Sequence, residues 1–176
     1  MSKFPVPKPP YVQAYHTNEK HKPTAIVLSL SWTTSDKKAA LGIANRLHKG
    51  NAPVNSYHYM VDEAETYRGV WDHLGAASTP HGAIDILLCG QPQEYAEDWL
   101  KTSGLKVLER TSDLVSDLIL AHKIRPVLIE EEAKDRWLSR RWRRRGGIID
   151  HIPGEWPIGM FMDDVLLKVE KKQKEK

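Results

Sequence analysis

The sequence predicts an α/β fold in a single domain: a mixed β-sheet flanked by helices. Three observations predict it. Ala25-Ile26-Val27-Leu28 and Ala83-Ile84-Asp85-Ile86-Leu87-Leu88 are short apolar runs of buried-strand length. Residues 56–62 alternate and are rich in Tyr and Val, next to a second extended stretch at 66–70. Between and after these runs, apolar residues recur at helical spacing. Strands that alternate with helices make layered α/β or α+β architectures.

The elements follow in order. Pro5, Pro7, Pro9, Pro10 and Pro23 mark residues 1–23 as a proline-rich extended arm. Proline fixes φ and lacks a backbone donor, so residues 4–10 are expected to be polyproline-like and outside any sheet. Such an arm is either a disordered leader or a strap along a neighbouring subunit. Residues 24–31 form the first buried strand. Ser35 is the expected helix N-cap with Asp36 in the first turn. Ala39, Ala40, Ile43, Ala44 and Leu47 share one helical face, and Gly50 closes that helix. A hairpin turns at Asp62-Glu63-Ala64-Glu65. The strand at 83–88 ends at Gly90.

A helix is expected from about 105 to 122, with Leu108, Val115, Leu118 and Ile119 inward and Thr111 and Ser112 outward. Residues 129–145 read as another helix, acidic at Glu130, Glu131 and Glu132 and Arg-rich at its end, a charge order that suits the helix dipole. Gly146-Gly147 breaks it, and Ile148-Ile149 opens a short strand toward His151. Residues 163–170 look helical. The domain body is therefore placed at 24–170, with a charged tail at 171–176.

Composition bounds the function. The chain has 176 residues, 40% of them hydrophobic and 28% charged, with formal net charge +3, values ordinary for a globular protein. No apolar run approaches the roughly 20 residues that span a bilayer, so no membrane partner is expected. Met1-Ser2-Lys3-Phe4-Pro5 lacks the apolar core of a secretory signal, which points to synthesis in a cytoplasm. The single Cys89 excludes an internal disulfide and any cysteine-rich metal site.

Several motifs in combination resemble one family. They are Ala25-Ile26-Val27-Leu28, Asn55-Ser56-Tyr57-His58-Tyr59-Met60-Val61-Asp62, Glu65-Thr66-Tyr67-Arg68, Trp71, Ile84-Asp85-Ile86-Leu87-Leu88-Cys89-Gly90 and a distal His151. This set resembles the N-acetylmuramoyl-L-alanine amidase domain (amidase-2, peptidoglycan-recognition type), as in endolysins of actinobacterial phages. The resemblance spans roughly residues 24–170. It implies a zinc held by a His at the end of the first strand, a distal His, and a Cys or Asp soon after, with a fourth position open for a water.

Here the first matching position is Ser29, the second is His151, and the third falls on Trp156. A hydroxyl is a poor zinc ligand and an indole is none. Glu155 takes the third place only with a register shift, and nothing in the spacing of His16, His21 or His73 recommends them. The resemblance makes Tyr57 the vestigial active-site tyrosine and Trp71 a groove wall. Each has a plainer reading as a packing residue, as His151 has. Asp85 stands where the family is nearly all apolar, so it faces the groove or reaches a partner.

The strongest surface feature is Arg136, Arg140, Arg141, Arg143, Arg144 and Arg145 interleaved with Trp137 and Trp142. It is either a solvated helix face or a protein contact, since Arg and Trp anchor interfaces. Nucleic acid is a weaker alternative.

The expectation is therefore a phage-encoded, catalytically inactive amidase-fold protein without a cofactor. It would bind other phage structural proteins or itself, and would enter the virion from the host cytoplasm as a decoration or tail component. The alternatives are a peptidoglycan-binding module and an active amidase with a relocated zinc.

Overall fold

The computed structural model describes residues 4–31, 38–50, 55–77, 82–91, 95–129, 146–152 and 154–175. Its centre is a five-stranded sheet in the order β4-β3-β6-β2-β7. The strands are β2 (Ala25–Leu30), β3 (Tyr59–Val61), β4 (Thr66–Arg68), β6 (Ala83–Leu88) and β7 (Gly147–His151). β3 pairs antiparallel with β4 through the expected hairpin, while β3–β6, β6–β2 and β2–β7 are parallel. Two further strands, β1 (Thr17–Lys20) and β5 (Leu74–Ala76), pair antiparallel beside it.

Side-chain alternation gives the sheet two faces. Ile26, Leu28, Leu30, Ile84, Ile86, Leu88, Tyr59, Val61 and Ile148 point into the larger core, which is covered by helices α2 (Thr102–His122) and α3 (Ile158–Lys174). On the other face, Met60, Leu87 and Cys89 pack under Ala40, Ile43, Ala44 and Leu47 of helix α1 (Ala39–His48). This is the mixed sheet flanked by helices that the sequence predicts.

Several details differ from expectation. Helix α1 starts at Ala39, not after Ser35, and Ser35 and Asp36 lie outside the described residues. Its N-terminus is served from a distance: the buried Asp62 Oδ2 accepts the Ala40 N–H at 3.0 Å, while Asp62 Oδ1 holds the Ala64 and Glu65 N–H groups at 2.8 Å. One carboxylate thus caps a helix and closes a hairpin. Gly50 ends α1 with φ +68, and the Tyr15 ring lies 3.2 Å from where a Cβ would stand.

Thr111 and Ser112 are buried, not outward: Thr111 lies in line with the core residues Val107 and Val115, and Ser112 is covered by α3. Thr111 Oγ1 donates to the Val107 carbonyl at 2.7 Å. Lys168 donates to Ser112 Oγ at 2.6 Å and Lys172 to Ser116 Oγ at 2.7 Å, a repeat one helical turn apart. Ile129 does not open a helix: its N–H donates to the Ile148 carbonyl beside β7. Residues 130–145 lie outside the described residues.

The proposed arm at 1–23 is not set apart. Residues 17–20 are β1, and the segment before it lies along β4. Pro10 O accepts the Arg68 N–H, Val12 N–H reaches Arg68 O, and Ala14 N–H reaches Gly69 O. Phe4 packs against the larger core. Nor is the tail separate at 171, because α3 runs on through Lys174.

Candidate functional site

The sheet geometry decides which candidate residues meet. Ser29, at the end of β2, is in register with His151 on the adjacent parallel strand β7. Residues paired in register on parallel strands share a face, so both lie on the side of Val27 and Ile149, away from α2 and α3. Asp85 of β6 lies on this face too, paired with Val27. Its side chain is buried, and its Oδ1 accepts the Ser29 hydroxyl at 3.0 Å.

Tyr57 stands half-buried nearby, just before β3. Burial raises its hydroxyl pKa, and the Asp85 carboxylate raises it further. A tyrosine beside a carboxylate stays protonated and acts as a donor at neutral pH. Ser29, Asp85, Tyr57 and His151 therefore form one polar group on an otherwise apolar face.

His58 braces this group from below. It is fully buried, its Nδ1 accepts the Asp85 N–H at 3.0 Å, and its Nε2 lies 2.8 Å from the Leu74 carbonyl. The network assigns the neutral tautomer with the proton on Nε2. Burial, the dominant cause, pushes the His58 pKa down to about 4.

Trp156 sits elsewhere. It is buried in the larger core, on the opposite side of the sheet from Ser29, with its ring against Phe161 and Trp99. Its Nε1–H donates to Asp150 Oδ2 at 3.0 Å, and Asp150 Oδ1 takes the Ile152 N–H at 2.9 Å. Asp150 precedes His151, so alternation turns it to the α3 side while His151 faces Ser29. Glu155 is exposed, and its carbonyl accepts the Trp99 indole N–H at 3.1 Å.

These residues do not fit a catalytic zinc. Where the resemblance calls for the first ligand stands a hydroxyl bonded to Asp85, and where it calls for the third stands an indole packed in the core. Among the described residues, the register brings the imidazole of His151 beside Ser29. No group of three His, Cys, Asp or Glu placed to hold a metal occurs among the described residues.

Trp71 does not join this group. Its ring, 42% exposed, stacks on Tyr11 at 4.9 Å and on the Arg68 guanidinium at 4.7 Å, at the β4 edge of the sheet. Beneath it lies a buried network that sequence reasoning missed. Arg68 Nη2 donates to Tyr59 Oη at 3.0 Å and also to the Pro7 carbonyl. Tyr59 Oη donates to Asp72 Oδ1 at 2.6 Å, and His122 Nε2 donates to Asp72 Oδ2 at 2.7 Å.

Burial alone would raise the Asp72 pKa. The bonds from His122 and Tyr59 and the Arg68 charge outweigh it and hold the carboxyl below its ordinary value. The i,i+4 spacing of Arg68 and Asp72 was the available signal, but it reads as a helical pair where the chain is in fact strand and turn. Arg136, Trp137, Arg140, Arg141, Trp142, Arg143, Arg144 and Arg145 lie outside the described residues.

No family model matches the sequence, and no curated protein matches it either. Solved structures do. The hydrolase AmiA of Staphylococcus aureus, in complex with its ligand, superposes with a TM-score of 0.69 at 10% identity, covering 97% of this chain and 87% of AmiA. A mutant endolysin from Bacillus subtilis gives 0.59 at 15% identity over 91% of this chain and 97% of the endolysin. The N-acetylmuramoyl-L-alanine amidase LysCS from Clostridium intestinale gives 0.56 at 15% identity over 92% and 97%. The chain shares the amidase fold of these proteins. At such identity the likeness is one of fold, and function has to be argued from the site.

Proposed function

We propose that this chain is an amidase-fold protein that acts by binding and not by zinc-dependent hydrolysis. One observation carries the reading. Both positions where the resemblance calls for a lost zinc ligand are engaged otherwise, Ser29 with Asp85 and Trp156 with Asp150. A zinc hydrolase needs three protein ligands and an open fourth position, and this arrangement does not supply them. The setting we assign is a phage particle, assembled in the host cytoplasm, where the chain serves as a decoration or tail-associated subunit. Its partners there are other structural proteins or copies of itself.

A second reading is favoured by the grouping of Tyr57, Asp85 and His151 on one sheet face and by the amidases and endolysins that share the fold. In it, the face binds peptidoglycan without cutting it. The experiment is a paired assay on insoluble cell walls with zinc supplied. Turbidity that stays constant while the protein remains in solution supports the structural role. Co-sedimentation without turbidity loss selects the binding module. Turbidity loss abolished by a chelator would sink both and restore an active amidase.

A further inference from the structure

We propose that Ser29 and Asp85 make their sheet face a site for a hydrogen-bond donor, and that the group it takes is a primary ammonium on a peptide of the cell-wall polymer. The inference rests on the second reading above, in which this face binds peptidoglycan, and names the group that it recognises there.

The residues that do not fit a zinc fit a group of the opposite polarity. A zinc takes an electron pair from a carbonyl oxygen. Asp85 and Ser29 offer electron pairs instead. A carboxylate has no proton to give, so the Ser29 hydroxyl proton points to Asp85 Oδ1 at 3.0 Å. The lone pairs of Ser29 Oγ are thereby kept as acceptors. Asp85 is buried and Ser29 half-buried, so the Ser29 oxygen is the part of the pair that a ligand meets first. Hydrogen bonds in a chain polarise one another, and a hydroxyl already donating to a carboxylate accepts more strongly than a lone one.

The surroundings favour a donor that carries positive charge. After burial, the Asp85 charge is the cause that raises the Tyr57 hydroxyl pKa, so the field of this carboxylate extends to the half-buried Tyr57. His58, behind Asp85, is neutral at pH 7 because burial pushes its pKa down to about 4. The floor around the pair is apolar and buried at Ala25, Val27, Ala83 and Ile149, where water screens a charge weakly. A cationic N–H gains more from such a site than a neutral amide does. Among cations, the ammonium is a compact head with three donors on one atom. The acceptor it meets, Ser29 Oγ, lies between Asp85 on β6 and His151 in register on β7.

The test uses the full chain and two soluble probes, Nα-acetyl-lysine methylamide and the same compound acetylated at Nε. Binding is followed by the backbone amide shifts of Ser29 and His151. Saturable shifts are expected with the free amine, with affinity lower by about tenfold for the acetylated probe, the scale of one charge-assisted hydrogen bond. Asp85→Asn should abolish the preference. Ser29→Ala, which deletes the acceptor and leaves the carboxylate, should weaken the free-amine probe several-fold, and serves if Asp85→Asn does not fold. Absence of saturable shifts, equal affinity for the two probes, or unchanged binding in both variants overturns the proposal. Insoluble walls, untreated and with their free amines acetylated, test the source. Co-sedimentation lost on acetylation supports it. Equal co-sedimentation with both walls overturns the amine inference and leaves the wall-binding reading standing. No co-sedimentation with untreated walls overturns that reading and the wall as source, while the probes still report on the Ser29–Asp85 pair, so the two failures are distinguishable.

Discussion

The two sides of the sheet hold their buried carboxylates in opposite ways. At the β4 edge, Asp72 is enclosed by Arg68, Tyr59 and His122, so its charge is matched by a cation and by aimed donors. On the β2–β6–β7 face, Asp85 takes a neutral hydroxyl from Ser29 and sits beside a neutral His58 and a protonated Tyr57. The first arrangement joins β3, β4, α2 and the N-terminal segment into one unit. The second occupies the place where the resemblance calls for a metal. The difference separates a carboxylate matched by a cation from one held among neutral partners.

That contrast can be broken at several points. The largest effect is expected at Asp72. Asp72→Ala leaves Arg68 buried without its carboxylate and should cost about 3–5 kcal/mol, read as a lower urea midpoint. A loss under 1 kcal/mol would mean the network is not what joins the N-terminal segment to the sheet.

Next comes Ser29→Ala, which removes one donor from the buried Asp85 and should cost about 1–3 kcal/mol. Trp156→Phe, which deletes the N–H to Asp150 and part of the buried indole, should cost about 1–3 kcal/mol. If Trp156→Phe instead changes zinc uptake, the third ligand position has been misplaced.

The pH dependence sharpens the same contrast. Asp72 has a folded pKa below its unfolded value, near 3.9 for a free carboxylate, so its contribution is complete above that pH. It is lost as pH falls through the folded value. Acid melts should therefore steepen below about pH 4, and Asp72→Asn should flatten that part of the curve. The smallest effect is expected for Tyr57→Phe, within about 0.5 kcal/mol, because the ring packs whether or not its hydroxyl is used. A larger loss would assign that hydroxyl a buried partner.

The parallel strands were legible because Ala25-Ile26-Val27-Leu28 and Ala83–Leu88 are apolar on both faces, as a doubly covered sheet requires. Helix α1 was legible in its apolar face but not in its start, because the cap comes from Asp62, 22 residues away from Ala40. β1 and β5 were missed: β1 is polar and fully exposed, and β5 has three residues. Ser112 was misread because a small polar residue looks outward until a second helix arrives carrying Lys168, and Thr111 because its hydroxyl is satisfied within its own helix by the Val107 carbonyl.

At the site, that Ser29 and Trp156 are not zinc-ligand residue types could be read from the sequence. The role of Asp85 needed the register of three strands. The Arg68–Asp72–His122 network needed contacts across 50 residues, which no local pattern carries.

In the proposed reading, the metal site is replaced and not relocated. The most direct test is the zinc content of the purified full-length chain by elemental analysis after dialysis against zinc. Well under one zinc per chain is expected, with no change in melting temperature on adding chelator. About one zinc per chain, bound tightly enough to survive dialysis into metal-free buffer, would contradict it and make amidase chemistry the leading reading.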